Sequence, residues 1–290
     1  MNKLPQPDID DRAALENLAN NPRARSFPHL QAVVPGIIAG YEQYRAVQGN
    51  ALEIINVALS AEIKGYLKGH YKSPPTNLAY ITRLRNEAEQ QVCPMCGSMH
   101  RGTLDHLLPK EAYTAFAVFS LNLIPACKCN TKRGEVTTGP AAGERILHPY
   151  FDDCLADRLV AARFDDLGRV PRVSLQLLVQ TTHPLYPAIA FHVARIVSNT
   201  AILKYLSDRW GHLYQKPKRI IRALASVPES ESRLREVLEE ELELTDETHG
   251  GKNNWDSVFV RGLLDADVSP WLFDRLIDRG RILDGPLGQI

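Results

Sequence analysis

CPMCGSMHRGTLDHLLPKEAYTAFAVFSLNLIPACKCNTKRG, residues 93–134, differs in character from the rest of the chain, being rich in Cys, Gly, Pro and Asn. Two residues separate Cys93 from Cys96, and a second pair, Cys127 and Cys129, follows about thirty residues later. Thiolates at such spacings can reach one tetrahedral ion, whereas close pairs are poor geometry for disulfides. The pattern indicates a structural zinc site.

Polar residues with metal-binding side chains lie between and after the cysteine pairs. Asp105 is followed directly by His106, and Asn122 and Asn130 come later. Taken singly, such residues are typical of turns and helix caps. Together, carboxylate and amide oxygens suit a hard ion such as Mg²⁺ or Mn²⁺, and a neutral imidazole can accept a proton from water near pH 7. The combination therefore points to metal-assisted hydrolysis.

Residues 93–134 resemble the HNH family of nucleases, whose ββα-metal fold places Asp-His on a first strand and a final His or Asn at a helix start. The segment Leu147–Asp152, with the sequence LHPYFD, is also similar to one found after this module in some bacterial HNH proteins. The resemblance covers about 60 of the 290 residues. It implies a small central ββα-metal module.

The resemblance also implies a role for each residue. His106 would be the general base that activates water, and Asp105 and Asn130 would hold one Mg²⁺ or Mn²⁺. Asn122 would brace the loop between the strands and help to orient the His106 ring. A basic side chain after Asn130 would bind the neighbouring phosphate, and the candidates are Lys132 and Arg133.

The second cysteine pair departs from the family pattern, in which two residues separate the thiols. Here Lys128 alone lies between Cys127 and Cys129. Either Cys127 reaches the ion through a tighter turn, or another residue completes the zinc site. His100 and His148 are the candidates for that place.

The flanking sequence predicts a mainly helical protein, α+β overall. Residues 1–90 form an N-terminal helical region, 91–150 the ββα-metal (HNH) module, and 151–290 a hairpin followed by a C-terminal helical region. Apolar positions three and four apart predict helices, for example within 52–71 and 186–210. A third helix is expected over 232–244, and two strands joined by a turn at 165–168 form the hairpin.

Overall charge and hydropathy limit the classes of binding partner that the sequence indicates. The net charge is zero, and no run of eighteen apolar residues exists, so no membrane association is expected. No apolar core of signal-peptide type follows Met1, and we expect a cytoplasmic location. Residues 204–222 are the candidate nucleic-acid surface, with Lys216, Lys218 and Arg219 as its basic side chains. The alternative, that these side chains simply form a solvated helix face, is equally open. Lys64, Lys68 and Lys72 form a second basic stripe.

The residues and the resemblance together predict an endonuclease that hydrolyses DNA, in preference to RNA, with one Mg²⁺ or Mn²⁺ and a separate structural Zn²⁺. The resemblance further implies a part in bacterial anti-phage defence beside an ATPase partner. The alternative is a non-catalytic, zinc-stabilised adaptor that binds nucleic acid or protein. His106→Ala separates these two hypotheses, because only a nuclease would lose its effect.

Overall fold

The computed structural model of the protein describes residues 1–86, 92–100 and 102–288. These residues form a mainly helical, α+β structure with two small antiparallel sheets, which confirms the predicted class. The α-helices are α1 (Asp11–Ala19), α2 (Val34–Ala46), α3 (Ala61–Lys72), α4 (Ala79–Asn86), α5 (Cys129–Arg133), α6 (Tyr186–His192), α7 (Ile202–Gln215), α8 (Glu231–His249), α9 (Trp255–Leu263) and α10 (Val268–Ile277). The strands are β1 (Thr103–His106), β2 (Leu123–Ala126), β3 (Val160–Asp165) and β4 (Arg172–Leu177).

The N-terminal region is less helical than its apolar spacing predicts. Residues 52–60 are irregular, and the predicted helix begins only at α3, where the Ser60 hydroxyl accepts a hydrogen bond from the Ile63 amide. Upstream, the Gln43 side chain donates to the Glu53 carbonyl over 2.9 Å. Side chains that bond to backbone groups give those groups an alternative to helical hydrogen bonds. The expected helix over 52–71 is therefore wrong in its first half.

The long helix expected over 186–210 is also broken. α6 runs into a π-helical turn, Val193–Val197, and α7 starts after a turn at residues 198–201. The Thr200 hydroxyl donates to the Val197 carbonyl over 2.6 Å and accepts from the Ile202 amide over 3.3 Å. One hydroxyl thus bonds to backbone groups on both sides of the break, which a pattern of apolar spacing does not reveal.

Two other predicted elements are present. The hairpin consists of β3 and β4, paired from Val160 with Leu177 to Asp165 with Arg172. Its turn includes Asp166 in the left-handed region, with φ 57°, which Asp tolerates better than most residues. The acidic helix expected over 232–244 lies within α8, where the Ser230 hydroxyl caps the first turn.

Two hydrophobic cores organise the chain. The first combines α1–α4 with β1, β2 and three of the paired cysteines, so the expected N-terminal and central regions share one core. The second is built from β3, β4 and α6–α10, and it includes Cys154 as a small buried side chain. Among the described residues, no helix is both long and apolar enough to cross a membrane.

The sequence LAYITRLRNEAEQQ, residues 78–91, also predicts a helix, and α4 forms its first part up to Asn86. Residues 87–91 of this prediction lie outside the described residues, as does Arg101.

Candidate functional site

The four paired cysteines converge on one point. Their sulfur atoms all lie within 4.8 Å of one another, with Cys93 Sγ 3.7 Å from Cys129 Sγ and Cys96 Sγ 3.5 Å from Cys127 Sγ. Zinc bound to four thiolates at about 2.3 Å requires sulfurs roughly 3.8 Å apart. All four cysteines are free of disulfides. The donor set and its spacing therefore fit a tetrahedral zinc ion.

Local backbone geometry explains how the two short pairs meet. The Gly97 amide donates to the Cys93 carbonyl over 2.8 Å, and Gly97 itself adopts φ 77°, which favours glycine. The Cys127 amide donates to Cys93 Sγ and the Cys129 amide to Cys127 Sγ, both over 3.3 Å. Burial raises the pKa of the Cys93 thiol well above its ordinary value, and a bound cation opposes that effect.

Cys127 is the residue that completes this cluster. His148 lies elsewhere, with Nε2 3.0 Å from the Tyr44 hydroxyl and Nδ1 accepting from the Tyr150 amide over 3.2 Å. His100 is exposed and does not belong to the cluster. The tighter turn through Lys128, one of the two open alternatives, is the arrangement found.

His106 ends strand β1 and is buried. Its Nε2 lies 2.9 Å from the Ala117 carbonyl, which can only accept, so Nε2 carries the proton and Nδ1 the lone pair. Burial lowers the His106 pKa to about 4, so the ring is neutral near pH 7. The ring of Tyr71 packs against it with a centroid distance of 4.2 Å. The imidazole is therefore held in one tautomer as a proton acceptor.

Arg133 joins the end of β1 to α5. Its guanidinium donates to the carbonyl of His106 over 3.3 Å and to that of Leu107, and its Nε lies 3.4 Å from Asn130 Oδ1. Burial lowers the Arg133 pKa to about 10, and the carboxylate of Asp105 opposes that shift. This one side chain thus connects Asn130 with the strand that carries Asp105 and His106.

The two expected oxygen ligands differ in their surroundings. Asp105 is half-buried on β1 and accepts the His106 amide at Oδ1 over 2.8 Å. Asn130 is buried, and its Nδ2 has no hydrogen-bond partner in the described part of the chain. Buried amide groups nearly always have a hydrogen-bond partner, so a buried amide nitrogen without one marks a place where a further hydrogen-bond acceptor is expected.

Asn122 is wholly buried between the two strands of this sheet. Its Oδ1 accepts from the Leu108 amide over 2.8 Å, and its Nδ2 donates to the carbonyls of Leu108 and Phe116 over 3.1 and 3.2 Å. These bonds hold both ends of the segment that carries the Ala117 carbonyl. Asn122 is placed to brace the loop and has no exposed group for substrate.

The two candidate phosphate-binding side chains after Asn130 differ sharply. Arg133 is buried and donates to three backbone carbonyls, including that of Val136 over 3.0 Å, so its guanidinium is already engaged within the protein. Lys132 is exposed and remains the candidate.

Three residues that were not singled out from the sequence lie around His106. The Tyr71 hydroxyl donates to the Leu104 carbonyl. Above the Tyr71 ring lie the guanidinium of Arg85, 4.7 Å from its centroid, and the ammonium of Lys110, at 5.9 Å. Lys110 directly follows the Asp-His-Leu-Leu-Pro run, but α3 and α4 are distant in sequence, so no local pattern indicates the others.

The expected basic surface at residues 204–222 is largely neutralised. Lys218 pairs with Asp284, and Lys204 lies 2.5 Å from Asp208. Trp210 is buried in the second core and unavailable for stacking on bases. Lys216 is half-buried and also interacts with the carboxylate of Asp284, whereas Arg219 is exposed.

Together these features define a mainly helical α+β protein in which a four-cysteine cluster that could hold a metal ion lies beside a buried, polar strand–strand–helix site. The chain is 34% identical over 84 residues to "Protein ea31" of Escherichia phage lambda. That match covers 28% of this chain and spans 27% of the phage protein. No family model and no solved structure matches the chain.

Proposed function

We propose that this protein is an HNH-type endonuclease that hydrolyses DNA phosphodiester bonds. The observation that carries the proposal is the fixed tautomer of His106, whose Nε2 donates to the Ala117 carbonyl and whose Nδ1 is left as a base. The order of elements around it, β1, β2 and then α5, agrees with the strand–strand–helix order that the resemblance implies.

In this proposal His106 Nδ1 takes a proton from the water that attacks phosphorus. Its neutrality near pH 7 follows from burial, and a neutral imidazole is the form that can accept the proton. A positioned base contributes typically about 10²–10⁴-fold to rate. Asn122 holds the segment that carries the Ala117 carbonyl, and the tautomer depends on that carbonyl.

Asp105 and Asn130 are the residues that would hold a catalytic Mg²⁺ or Mn²⁺. One carboxylate oxygen and one amide oxygen suit a hard cation. The unsatisfied Asn130 Nδ2 is a hydrogen-bond donor, so it suits an oxygen of water or of the substrate phosphate beside the ion. When bound, such an ion stabilises the negative charge that develops in phosphodiester hydrolysis. Lys132, exposed on α5, is the side chain for the adjoining phosphate.

The cysteine cluster has a structural part in this proposal. Two carbonyls in the turn that holds the first cysteine pair accept hydrogen bonds from distant side chains. The Met95 carbonyl accepts from His192 Nε2 over 2.7 Å, and the Cys96 carbonyl accepts from the Trp255 indole over 2.9 Å. These bonds hold the first cysteine pair against α6 and α9. A zinc-stabilised adaptor would bury its cluster in the same way, so the cluster does not separate the two alternatives. The arrangement around His106 is what favours the nuclease in this proposal.

A role in anti-phage defence beside an ATPase partner completes the proposal. The zero net charge supports a partner that supplies part of the affinity for nucleic acid. Full activity of the isolated chain on plasmid DNA would contradict an obligate partner.

The test is cleavage of supercoiled plasmid with Mg²⁺, with Mn²⁺ and with no divalent ion added. We expect nicking that requires the ion and a loss of at least about 100-fold in His106→Ala. Zinc content and thermal melting of the variant must match those of the wild type. Ion-independent cleavage, or full activity in the folded variant, would contradict the proposal.

A further inference from the structure

An open cavity of about 550 Å³ lies between α3 and the loop that follows α1. One wall is the loop that includes Arg23 and Arg25, and the other is α3 with Lys72 near its end. At the cavity, buried His70 has its Nε2 2.9 Å from the Ser26 hydroxyl. No acidic side chain is among the described residues that line it.

The three cations at this cavity form no ion pair with an acidic group of the described residues. Arg23, Arg25 and Lys72 are exposed, and no ion pair joins any of them to an acidic group within residues 1–86, 92–100 and 102–288. Elsewhere Lys68 lies 2.7 Å from Glu111, and Lys218 pairs with Asp284. Three uncompensated cations around one cavity produce a local positive potential that attracts anions.

Two glycines keep the helical wall of the cavity open. Gly65 and Gly69 are four residues apart on α3, and both line the cavity. A Cβ atom at either position would meet nothing within 4 Å. Glycine weakens a helix interior relative to alanine, and here its lack of a side chain does not serve the packing of the protein itself. The two glycines therefore leave room for a ligand to approach the backbone of α3.

α3 connects this cavity with the proposed catalytic site. Tyr71, whose ring packs against His106, is adjacent in sequence to both His70 and Lys72. Successive helix residues point about 100° apart, so α3 presents one face to His106 and the neighbouring face to the cavity. The cavity and the Tyr71 ring that packs against His106 are therefore carried by the same helix.

We propose that the cavity bounded by Arg23, Arg25 and Lys72 binds backbone phosphates of the nucleic-acid substrate. The choice of nucleic acid as the ligand rests on the proposed function, and the cavity replaces residues 216–219 as the principal binding surface. Arg23 and Arg25 contact phosphate from the loop wall, and Lys72 does so from the helix. Gly65 and Gly69 admit the strand.

The experiment measures binding of a fluorescein-labelled DNA duplex by anisotropy at several NaCl concentrations, without added Mg²⁺. The test variant replaces Arg23, Arg25 and Lys72 with Gln. The matched control replaces the same number of cations on the other surface, Lys204, Lys216 and Lys218, with Gln. Each lost phosphate contact should make the plot of log K against log[NaCl] shallower by about one, so we expect a change of about three in the test variant alone.

Binding and cleavage report on different claims. Loss of binding only in the test variant supports the cavity even if no condition yields cleavage. Equal binding by wild type and test variant overturns the cavity assignment even if the wild type is a nuclease. Equal losses in the test and control variants, or no binding by wild type, also overturn it.

A second variant protects the test from a folding artefact. Gly69→Ala adds one methyl group to the cavity wall without removing charge, and it favours the helix. We expect an unchanged or higher melting temperature together with weaker duplex binding. Unchanged affinity in both Gly69→Ala and the triple variant would refute a strand lying against α3.

Discussion

The two hydrophobic cores of this protein differ in what they bury beside apolar side chains. The first buries titratable and amide groups within its walls, namely Asp11, His70, His106, Asn122, Asn130 and Arg133. The elements of the second bury mainly aliphatic and aromatic side chains; among their buried polar groups, Asn254 caps α9 and His192 on α6 is a titratable side chain at the junction with the first core. Burying polar groups costs stability unless each is hydrogen-bonded. The first core therefore carries the features of a functional site, and the second those of a scaffold.

The largest difference should come from the metal cluster. Cys96→Ala removes one of the four thiolates, and we expect loss of bound zinc and at least about 3 kcal/mol of unfolding free energy, because metal binding and folding are coupled. The measurements are zinc content by elemental analysis and urea unfolding.

Cys154→Ala is the matched control in the second core, because it deletes a buried thiol outside the cluster. It should retain zinc and cost about 1 kcal/mol or less. Equal effects of the two substitutions would contradict a structural metal site.

His192 tests how the two cores are joined, because its ring bonds to Leu147 of the second core and to Met95 of the first. Its Nδ1 accepts from the Leu147 amide over 2.9 Å, its Nε2 donates to the Met95 carbonyl, and burial lowers its pKa to about 4. Because the folded pKa lies below the ordinary 6.5, its contribution is present above pH 6.5 and is lost as the pH falls towards 4.

The wild type should therefore lose about 3 kcal/mol of unfolding free energy between these pH values on account of His192. His192→Gln cannot titrate and should show a flatter dependence. Urea unfolding over this pH range, with His212→Gln as the exposed control, measures the effect. Parallel pH profiles for wild type and His192→Gln would show that this link does not respond to protonation.

A smaller effect is expected within the scaffold. A Cβ atom on Gly262 of α9 would lie 2.5 Å from the Ala162 carbonyl of β3. Gly262→Ala should therefore cost about 1–3 kcal/mol through overpacking, without changing DNA cleavage. Gly211→Ala on α7 meets nothing within 4 Å and should add about 0.5–1 kcal/mol. Thermal melting of both variants checks the pair; a stabilised Gly262→Ala would contradict close packing of α9 on β3.

Local chemistry explains which features could be predicted from the sequence. The short spacing within each cysteine pair predicted the cluster, and the turn residues 165–168 between two strand-like stretches predicted the hairpin, because both signals are local in sequence. The break at Thr200 was missed, since one hydroxyl bonding on both sides outweighs apolar spacing there.

The candidate site was predictable only in part for a related reason. Asp105, His106 and Asn122 stand out through their order between the cysteine pairs. Tyr71 reaches His106 only through folding, and the pairing of Lys218 with Asp284 joins residues far apart in the chain. Contacts over such separations have no local signature in the sequence. The nucleic-acid surface predicted from charge at residues 204–222 therefore did not take account of acidic partners such as Asp284.

One measurement tests the central claim most directly: the plasmid-nicking rates of His106→Ala and His192→Gln, side by side at pH 7.5. Both histidines are buried, and both donate from Nε2 to a backbone carbonyl, but Nδ1 of His192 accepts from Leu147 whereas that of His106 is left as the base. Our account predicts a loss of at least about 100-fold for His106→Ala and near wild-type nicking for folded His192→Gln. Equal activity in the two variants would contradict His106 as the general base.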